Sequence, residues 1–286
     1  MKRNIIDAHL HIDRFAEEPG PGFDFFHPPK ALIVADEVLA MMDETGVESG
    51  VIMQHPNGPL NDEIAQIVKE HPDRFRGSMV LPLDTEDALG QMEVNKKNGL
   101  TVIKLEMFGS TMLYPGLKLD SELMRKIYAK AEKLGLVIAI DPFRIGMAGY
   151  QYEELGRVVG DYPGLKFVIC HMAYPMAGTM DKEEDRQKWE KMLDLARFDN
   201  VWVDFSAMPD MFCSIEAYPY ASAVPLIRRF IDQYGVEKAM WGSDIPGELN
   251  RGTYEQLIAM YETDGVFTKE EQKLMFRENA RKVYFE

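Results

Sequence analysis

The sequence predicts an α/β fold, a (β/α)8 TIM barrel formed by a single domain over residues 1–286. Eight short runs rich in β-branched residues alternate with amphipathic, charge-bearing segments along the whole chain. Such alternation favours a parallel sheet, because parallel neighbours need a crossover connection that is usually helical. Eight such units in 286 residues match the usual size of a closed barrel. An open doubly wound sheet is the alternative.

The strands are predicted in chain order at Asn4–His9, Gly50–Gln54, Phe75–Leu81, Thr101–Glu106, Leu136–Asp141, Lys166–His171, Val201–Ser206 and Ala239–Asp244. The helices between and after them are predicted at Ala35–Thr45, Asn61–His71, Thr85–Asn98, Ser121–Leu134, Tyr152–Asp161, Lys182–Arg197, Ala221–Tyr234 and Thr253–Glu262. A last helix over Lys269–Tyr284 begins with Thr268 and Glu271 at the spacing of a capping box. The longest irregular segment runs from Ile12 to Val34 and is expected to form a wall or lid over the site.

Composition narrows the function classes. The net charge of −15 disfavours nucleic acid and anionic membranes as partners, and no apolar stretch approaches the ~20 residues of a membrane span. The N-terminal segment differs from a signal peptide because Asp7 interrupts its short apolar run. With Cys170 and Cys213 as the only cysteines, a cytoplasmic location is expected. A small-molecule substrate is the expected partner, and apolar segments after the seventh strand favour a homodimer.

Two histidines at the end of the first strand suggest a metal site. His9 and His11 lie two residues apart, so in a strand both imidazoles leave on the same side, towards the barrel mouth. Imidazoles aimed at one point suit a divalent metal such as zinc. Asp7 has the same parity but lies deeper, and it is expected to accept a hydrogen bond from an imidazole N–H.

Four further polar residues end predicted core strands. They are Glu106, Asp141, His171 and Asp244, on strands four, five, six and eight. Packing alone does not explain this placement, because a buried carboxylate or imidazole needs a partner. In a TIM barrel the functional side chains emerge at the carboxyl ends of the strands, so these residues are predicted to surround one site.

The segments Ile6–His11, Val168–His171 and Trp241–Asp244 resemble the amidohydrolase superfamily, and within it the amidohydrolase-related family that includes aminocarboxymuconate-semialdehyde decarboxylase and various hydrolases. The resemblance extends through Glu278-Asn279-Ala280. It implies a single divalent metal held by His9, His11 and Asp244. The two histidines suit zinc, the first choice, and the carboxylates make manganese or magnesium the alternatives. The resemblance also implies that His171 is a metal ligand or an acid–base residue.

The sequence departs from the family pattern at strand five, where Asp141 stands in place of the usual metal-binding histidine. Either Asp141 is an oxygen ligand or the site lacks one ligand. Asp141 and Asp244 together neutralise a divalent ion, so Glu106 leaves one excess negative charge. A second cation, a protonated carboxyl or a nearby base would compensate it. The simplest solution is an ion pair between Lys104 and Glu106, which share strand parity.

Other residues are candidates for substrate binding. Arg144 and Tyr174 follow strands five and six, where they could meet a substrate carboxylate, and His55 follows strand two at the rim. Arg14 is a further candidate of the same kind. Lys104 and Glu106 are interpreted either as a structural pair or as substrate contacts.

Three functions are compatible with these residues. The first is metal-dependent hydrolysis of a lactone, ester or amide in a small carboxylated molecule, with metal-activated water, Asp244 as general base and His171 stabilising the oxyanion. The second is nonoxidative decarboxylation of an unsaturated or phenolic acid, with Asp244 or His171 delivering a proton to carbon. The third is a binding protein whose catalysis has been disabled by the change at Asp141.

Overall fold

The computed structural model describes residues 3–12, 33–56, 60–262 and 265–286. Eight parallel strands follow one another in the order of the chain. The strands are β1 (Ile5–Leu10), β2 (Val47–Ile52), β3 (Phe75–Met79), β4 (Leu100–Glu106), β5 (Val137–Asp141), β6 (Lys166–Ile169), β7 (Val201–Asp204) and β8 (Ala239–Met240). The predicted α/β barrel is therefore confirmed.

Helices connect the strands. They are α1 (Ala35–Thr45), α2 (Asn61–Glu70), α3 (Asp87–Lys97), α4 (Met107–Leu113), α5 (Glu122–Leu134), α6 (Tyr152–Val159), α7 (Ala177–Met180), α8 (Glu183–Leu193), α9 (Met208–Met211), α10 (Ala223–Tyr234), α11 (Tyr254–Ala259), α12 (Lys269–Lys273) and α13 (Asn279–Tyr284). A π-helical stretch, Leu274–Glu278, joins the last two. The predicted capping box is present, since Thr268 and Glu271 bond each other's backbone N–H groups at the start of α12.

The barrel closes between its last and first strands. The Ala8 N–H donates to the Trp241 carbonyl at 3.0 Å, and the Asp244 N–H donates to the His9 carbonyl at 2.8 Å. Both bonds involve residues that follow β8. The sequence predicts this strand to reach Asp244, but in the structure it ends at Met240. Residues 241–244 therefore leave regular strand geometry while staying bonded to β1.

Two apolar layers enclose the sheet. One lies between strands and helices, and the other fills the barrel interior with side chains such as Ile6, Val102, Val168 and Trp202. Tyr284 of α13 joins the interior cluster. Along a strand, the side chains that face the barrel interior are therefore apolar at first and polar at the carboxyl end.

The short helices α4, α7 and α9 are absent from the sequence-based assignment. They follow β4, β6 and β7, respectively. With four to seven residues each, they have too little periodicity to be identified as helices from sequence. In the described part of the chain, no helix is both long and apolar enough to cross a membrane. Most of the predicted Ile12–Val34 lid lies outside the described residues.

Candidate active site

A β-bulge in β1 directs the first histidine into the barrel. Between Asp7 and Leu10 the strand advances three residues, whereas the paired β2 advances two, from Gly50 to Ile52. The extra residue reverses the alternation of side chains. His9 therefore points inward, fully buried, whereas Asp7 points away from the site.

Asp204 at the end of β7 orients His9. Its Oδ2 atom accepts a hydrogen bond from His9 Nδ1 at 3.2 Å, and the His171 N–H donates to its Oδ1 at 2.9 Å. Burial would raise the pKa of Asp204, but His9 and the other donors outweigh burial and hold that pKa well below its usual range. Because an ionised carboxylate can only accept a hydrogen bond, His9 carries its hydrogen on Nδ1. Burial lowers the pKa of His9 to about 3, so its other nitrogen, Nε2, stays unprotonated and keeps its lone pair.

His11 is oriented in the same way by a backbone carbonyl. Its Nδ1 lies 3.1 Å from the Met53 carbonyl oxygen, which can only accept, so Nδ1 carries the hydrogen. Its Nε2 lies 3.1 Å from Asp244 Oδ1, and His9 Nε2 lies 3.6 Å from the same oxygen. Two nitrogen lone pairs and a carboxylate oxygen thus face one another, an arrangement that requires a cation or a proton between them.

Asp244 is held in an uncommon backbone conformation, with φ 59°. Gly242 makes the approach possible, because a Cβ there would lie 2.8 Å from His9 Cβ. Burial would raise the pKa of the Asp244 carboxyl, but His171 and His11 outweigh burial and hold it well below the usual range. The carboxylate is therefore ionised beside the two imidazoles.

The turn after β6 carries His171. Its four residues, His171 to Tyr174, all have positive φ between 47° and 60° although none is glycine. The left-handed conformation is unfavourable for such residues and is typical of functional sites when several occur together. Hydrogen bonds hold the turn, including Trp189 Nε1–H to the Met172 carbonyl at 2.6 Å and Tyr150 O–H to the Ala173 carbonyl at 3.1 Å.

His171 is a candidate proton donor. Its Nδ1 donates to Ser206 Oγ at 2.8 Å, because the Ser206 hydroxyl is itself committed as a donor to Asp204. Its Nε2 lies 3.5 Å from Asp141 Oδ2. Burial would lower the pKa of His171, but the charges of Asp244 and Asp141 outweigh burial and raise it.

Lys104 is paired differently from expectation. Its Nζ lies 3.9 Å from Asp141 Oδ2, so Asp141 replaces the expected partner Glu106. The Glu106 carboxylate instead accepts the Phe108 and Gly109 N–H groups at the start of α4. Burial and the charge of Asp141 raise the pKa of Glu106 to about 7. The raised pKa favours a proton on Glu106, and a protonated carboxyl is one of the solutions to the charge balance that the sequence left open.

The rim residues form an aromatic wall. The Tyr174 ring lies 5.3 Å from both the His171 and Phe143 rings, and Phe143 stacks on Phe108 at 4.5 Å. Arg144 is exposed, with its guanidinium 5.4 Å from the Phe143 ring centroid.

His55 also lies at the mouth, where it stacks on the metal-facing His11 at 4.6 Å. The fourth predicted rim contact, Arg14, falls outside the described residues.

The assignment of Asp7 was wrong, and Asp204 was missed. Asp7 Oδ1 accepts the Ser243 N–H at 2.9 Å, and its Oδ2 accepts the Tyr254 hydroxyl at 2.7 Å. It thus ties β1 to the segment after β8 instead of bonding an imidazole. Asp204 lies inside the predicted strand Val201–Ser206 and ends the observed β7. An acidic residue directly after the apolar run Val201–Val203 was the signal that could have identified it.

The donor set fits a divalent metal. Ligand atoms of His9, His171 and Asp244 lie within 4.8 Å of one another, and His11 Nε2 faces the same Asp244 oxygen. A deeper group includes the Cys170 thiol, but burial raises its pKa well above the usual value. A protonated thiol is a poor ligand. Asp141 is absent from both groups, and its role as an oxygen ligand stays a prediction.

Comparisons with known proteins agree with this architecture. The amidohydrolase family model matches residues 6–285, so the chain belongs to the amidohydrolase family. Members of this family are typically metal-dependent, and the chain is accordingly an enzyme of the amidohydrolase superfamily. A search of curated protein sequences finds no significant match.

Solved structures share the fold. A probable 2-pyrone-4,6-dicarboxylic acid hydrolase from Acinetobacter baumannii, with citric acid bound, is 21% identical with a TM-score of 0.74 and covers 99% of this chain and 100% of its own. An amidohydrolase from Burkholderia multivorans with bound zinc is 15% identical, with a TM-score of 0.78 and coverage of 99% of both chains. A 2,6-dihydroxybenzoate decarboxylase from Rhizobium is 16% identical, with a TM-score of 0.65 and coverage of 98% of both chains.

Proposed function

We propose that this protein is a metal-dependent hydrolase that cleaves a lactone, ester or amide bond in a small carboxylated molecule. The observation that carries the proposal is the convergence of His9 Nε2 and His11 Nε2 on Asp244 Oδ1, at 3.6 and 3.1 Å. Both imidazoles are fixed through Nδ1, so their lone pairs are presented together. We assign the metal to these three residues, with zinc as the first choice because nitrogen donors predominate.

The bound ion would supply a positive charge that acidifies water and polarises a carbonyl group. The chain's own residues then manage the protons. Asp244 is ionised and one-tenth exposed at its side chain, so it can accept a proton from the attacking water and return it to the leaving group.

His171 would stabilise the negative charge that develops on the substrate oxygen. Its Nδ1–H is committed to Ser206, which leaves the Nε2 side facing Asp141 and the barrel mouth. Because the neighbouring carboxylates raise its pKa, His171 can donate from Nε2 as a cation. A charged donor aimed at a developing oxyanion lowers the barrier more than a neutral one.

The wall beyond these residues suits a flat, carboxylated substrate. Phe143 and Tyr174 offer aromatic surface, and the exposed Arg144 guanidinium beside them can pair with a carboxylate. Glu106 and His55 line the same mouth and are proposed as further contacts, together with Arg14. The hydrolase from Acinetobacter baumannii supports this choice, because its named substrate is a lactone that carries two carboxyl groups.

Decarboxylation is the second candidate, and His171 is the observation in its favour. An imidazolium held between carboxylates could protonate a substrate carbon as carbon dioxide leaves. The Rhizobium protein that shares the fold is named for such a reaction.

Metal analysis combined with a product screen tests the proposal. The metal content of protein purified without chelator is measured for wild type, His9→Ala and His71→Ala. His71 is the matched histidine control, because it follows α2 at the opposite end of the barrel. The same samples are assayed on carboxylated lactones, esters and amides, and on unsaturated and phenolic acids, with separate detection of acid and of carbon dioxide.

We expect about one metal ion per chain in wild type and His71→Ala, loss of metal in His9→Ala, and acid production without gas. Release of carbon dioxide would identify the reaction as decarboxylation and refute hydrolysis. Metal retained by His9→Ala at the wild-type level would refute the assigned centre.

A further inference from the structure

Lys104 lies inside the barrel, next to the metal-facing nitrogen of His9. Its side chain is 1% exposed, and its Nζ lies 3.4 Å from His9 Nε2 and 3.6 Å from Cys170 Sγ. Its ammonium pairs with Asp141 Oδ2 at 3.9 Å, which is longer than a hydrogen bond. The lysine is therefore hydrogen-bonded to an imidazole and only loosely paired with its counterion.

His9 can serve either the ammonium or a metal, but not both. Its Nδ1–H is committed to Asp204, so a single lone pair, on Nε2, remains available. A hydrogen bond from Lys104 uses that lone pair, and a metal–nitrogen bond would use the same one. The Lys104 ammonium and a metal ion therefore cannot both bind His9 Nε2 at the same time.

We propose that Lys104 is a resident cation that competes with the divalent metal for His9 and thereby sets the metal affinity of the site. The proposal rests on the metal centre assigned above. In the metal-free protein the ammonium satisfies His9 Nε2 and partly compensates the surrounding carboxylates. When a metal binds, the ammonium must leave His9, and Asp141 is the carboxylate positioned to receive it.

The unexpected aspartate at the end of β5 has a role in this exchange. Asp141 lies between Lys104 and His171, at 3.9 and 3.5 Å from their nitrogens. In that position it accepts the displaced ammonium as a counterion without being a metal ligand itself. Removal of its charge should therefore weaken metal binding only when Lys104 is present.

The test measures zinc affinity in metal-free protein by competition with a chromophoric chelator. The variants are Lys104→Met, Asp141→Asn and the double variant, with Cys170→Ala as the matched control. Cys170→Ala removes the thiol contact of the ammonium but leaves the ammonium itself. Circular dichroism and the thermal midpoint report folding, and Lys104→Gln serves as a second neutral variant if Lys104→Met unfolds.

We expect Lys104→Met to bind zinc at least about tenfold more tightly than wild type, because it removes both a competing donor and a like charge. Cys170→Ala should match wild type. Asp141→Asn should weaken zinc binding about tenfold in wild type and leave it unchanged in the Lys104→Met background.

Equal or weaker zinc binding by Lys104→Met would overturn the inference and leave the metal centre in place. An Asp141→Asn effect that persists without Lys104 would also overturn it, because it would identify Asp141 as a ligand. Absence of zinc from both wild type and Lys104→Met would refute the metal centre and, with it, the competition.

Discussion

Replacing Asp204 with asparagine should reverse the tautomer of His9. The Oδ1 atom of Asp204 accepts hydrogen bonds from the His171 backbone N–H, the Ser206 backbone N–H and the Ser206 hydroxyl, whereas Oδ2 accepts from His9 Nδ1. An asparagine would keep its oxygen towards the three donors, so its NH2 group would face His9. Nδ1 would then have to accept, and the hydrogen would move to Nε2.

The loss of zinc affinity follows from the hydrogen on His9 Nε2, which removes the lone pair that would bind the metal. Groups that orient a metal-binding histidine typically contribute 10- to 100-fold to metal affinity. For Asp204→Asn we therefore expect zinc binding to weaken by about 10- to 100-fold, which corresponds to roughly 1.4–2.8 kcal/mol. The free energy of unfolding of the metal-free protein should fall by about 1–3 kcal/mol, because bonds to a charged acceptor become bonds to a neutral one.

The assay combines chelator competition with urea unfolding, and Asp7→Asn is the matched control. Asp7 is as deeply buried as Asp204 and also accepts several hydrogen bonds, but it points away from the site. Asp7→Asn removes a charge that burial disfavours, since burial raises the pKa of Asp7 to about 6, and it should leave zinc affinity within a few-fold of wild type. Wild-type zinc affinity in Asp204→Asn, or an equal loss in both variants, would refute the tautomer argument.

Two further predictions concern the neighbouring residues. Burial and Asp141 raise the pKa of Glu106 from 4.5 to about 7, so its contribution to the stability of metal-free protein is fully present below pH 4.5 and is lost as the pH rises to 7. The urea-derived stability of wild type should fall relative to Glu106→Gln by roughly 3 kcal/mol across that window, and parallel pH profiles would contradict the assignment. Gly242→Ala should destabilise the protein by about 1–3 kcal/mol, because its Cβ would lie 2.8 Å from His9 Cβ, and an unchanged thermal midpoint would show that the segment can shift.

The sequence was sufficient to predict the barrel. Parallel strands end at the same rim, so a polar residue that follows an apolar run is expected there. In the structure, polar atoms of His9, His11, His171 and Asp244 lie near one another, and their roles stay predictions. The inference needs only strand direction and side-chain alternation, and both are visible in a single sequence.

What could not be predicted depends on contacts between distant segments. The bulge in β1 follows from its pairing with β2 and reverses the parity from which Asp7 was assigned. Likewise, the partner of Lys104 depends on the register of β4 against β5, which places Glu106 opposite Asp141 and leaves Lys104 one pleat below them. No local pattern encodes such registers, so residue pairing across strands required coordinates.

The left-handed turn after β6 has a consequence for engineering. Glycine at Ala173 would adopt the observed φ without steric cost and would remove only a methyl group, so it should make the folded protein more stable. Glycine at Met172 would instead remove a fully buried side chain from the core and destabilise the protein. The change at Ala173 would permit other conformations in the segment that joins His171 to Tyr174. Selection for thermal resistance alone would therefore favour glycine there and blur the placement of both rings, so screens of this protein should score turnover together with heat tolerance.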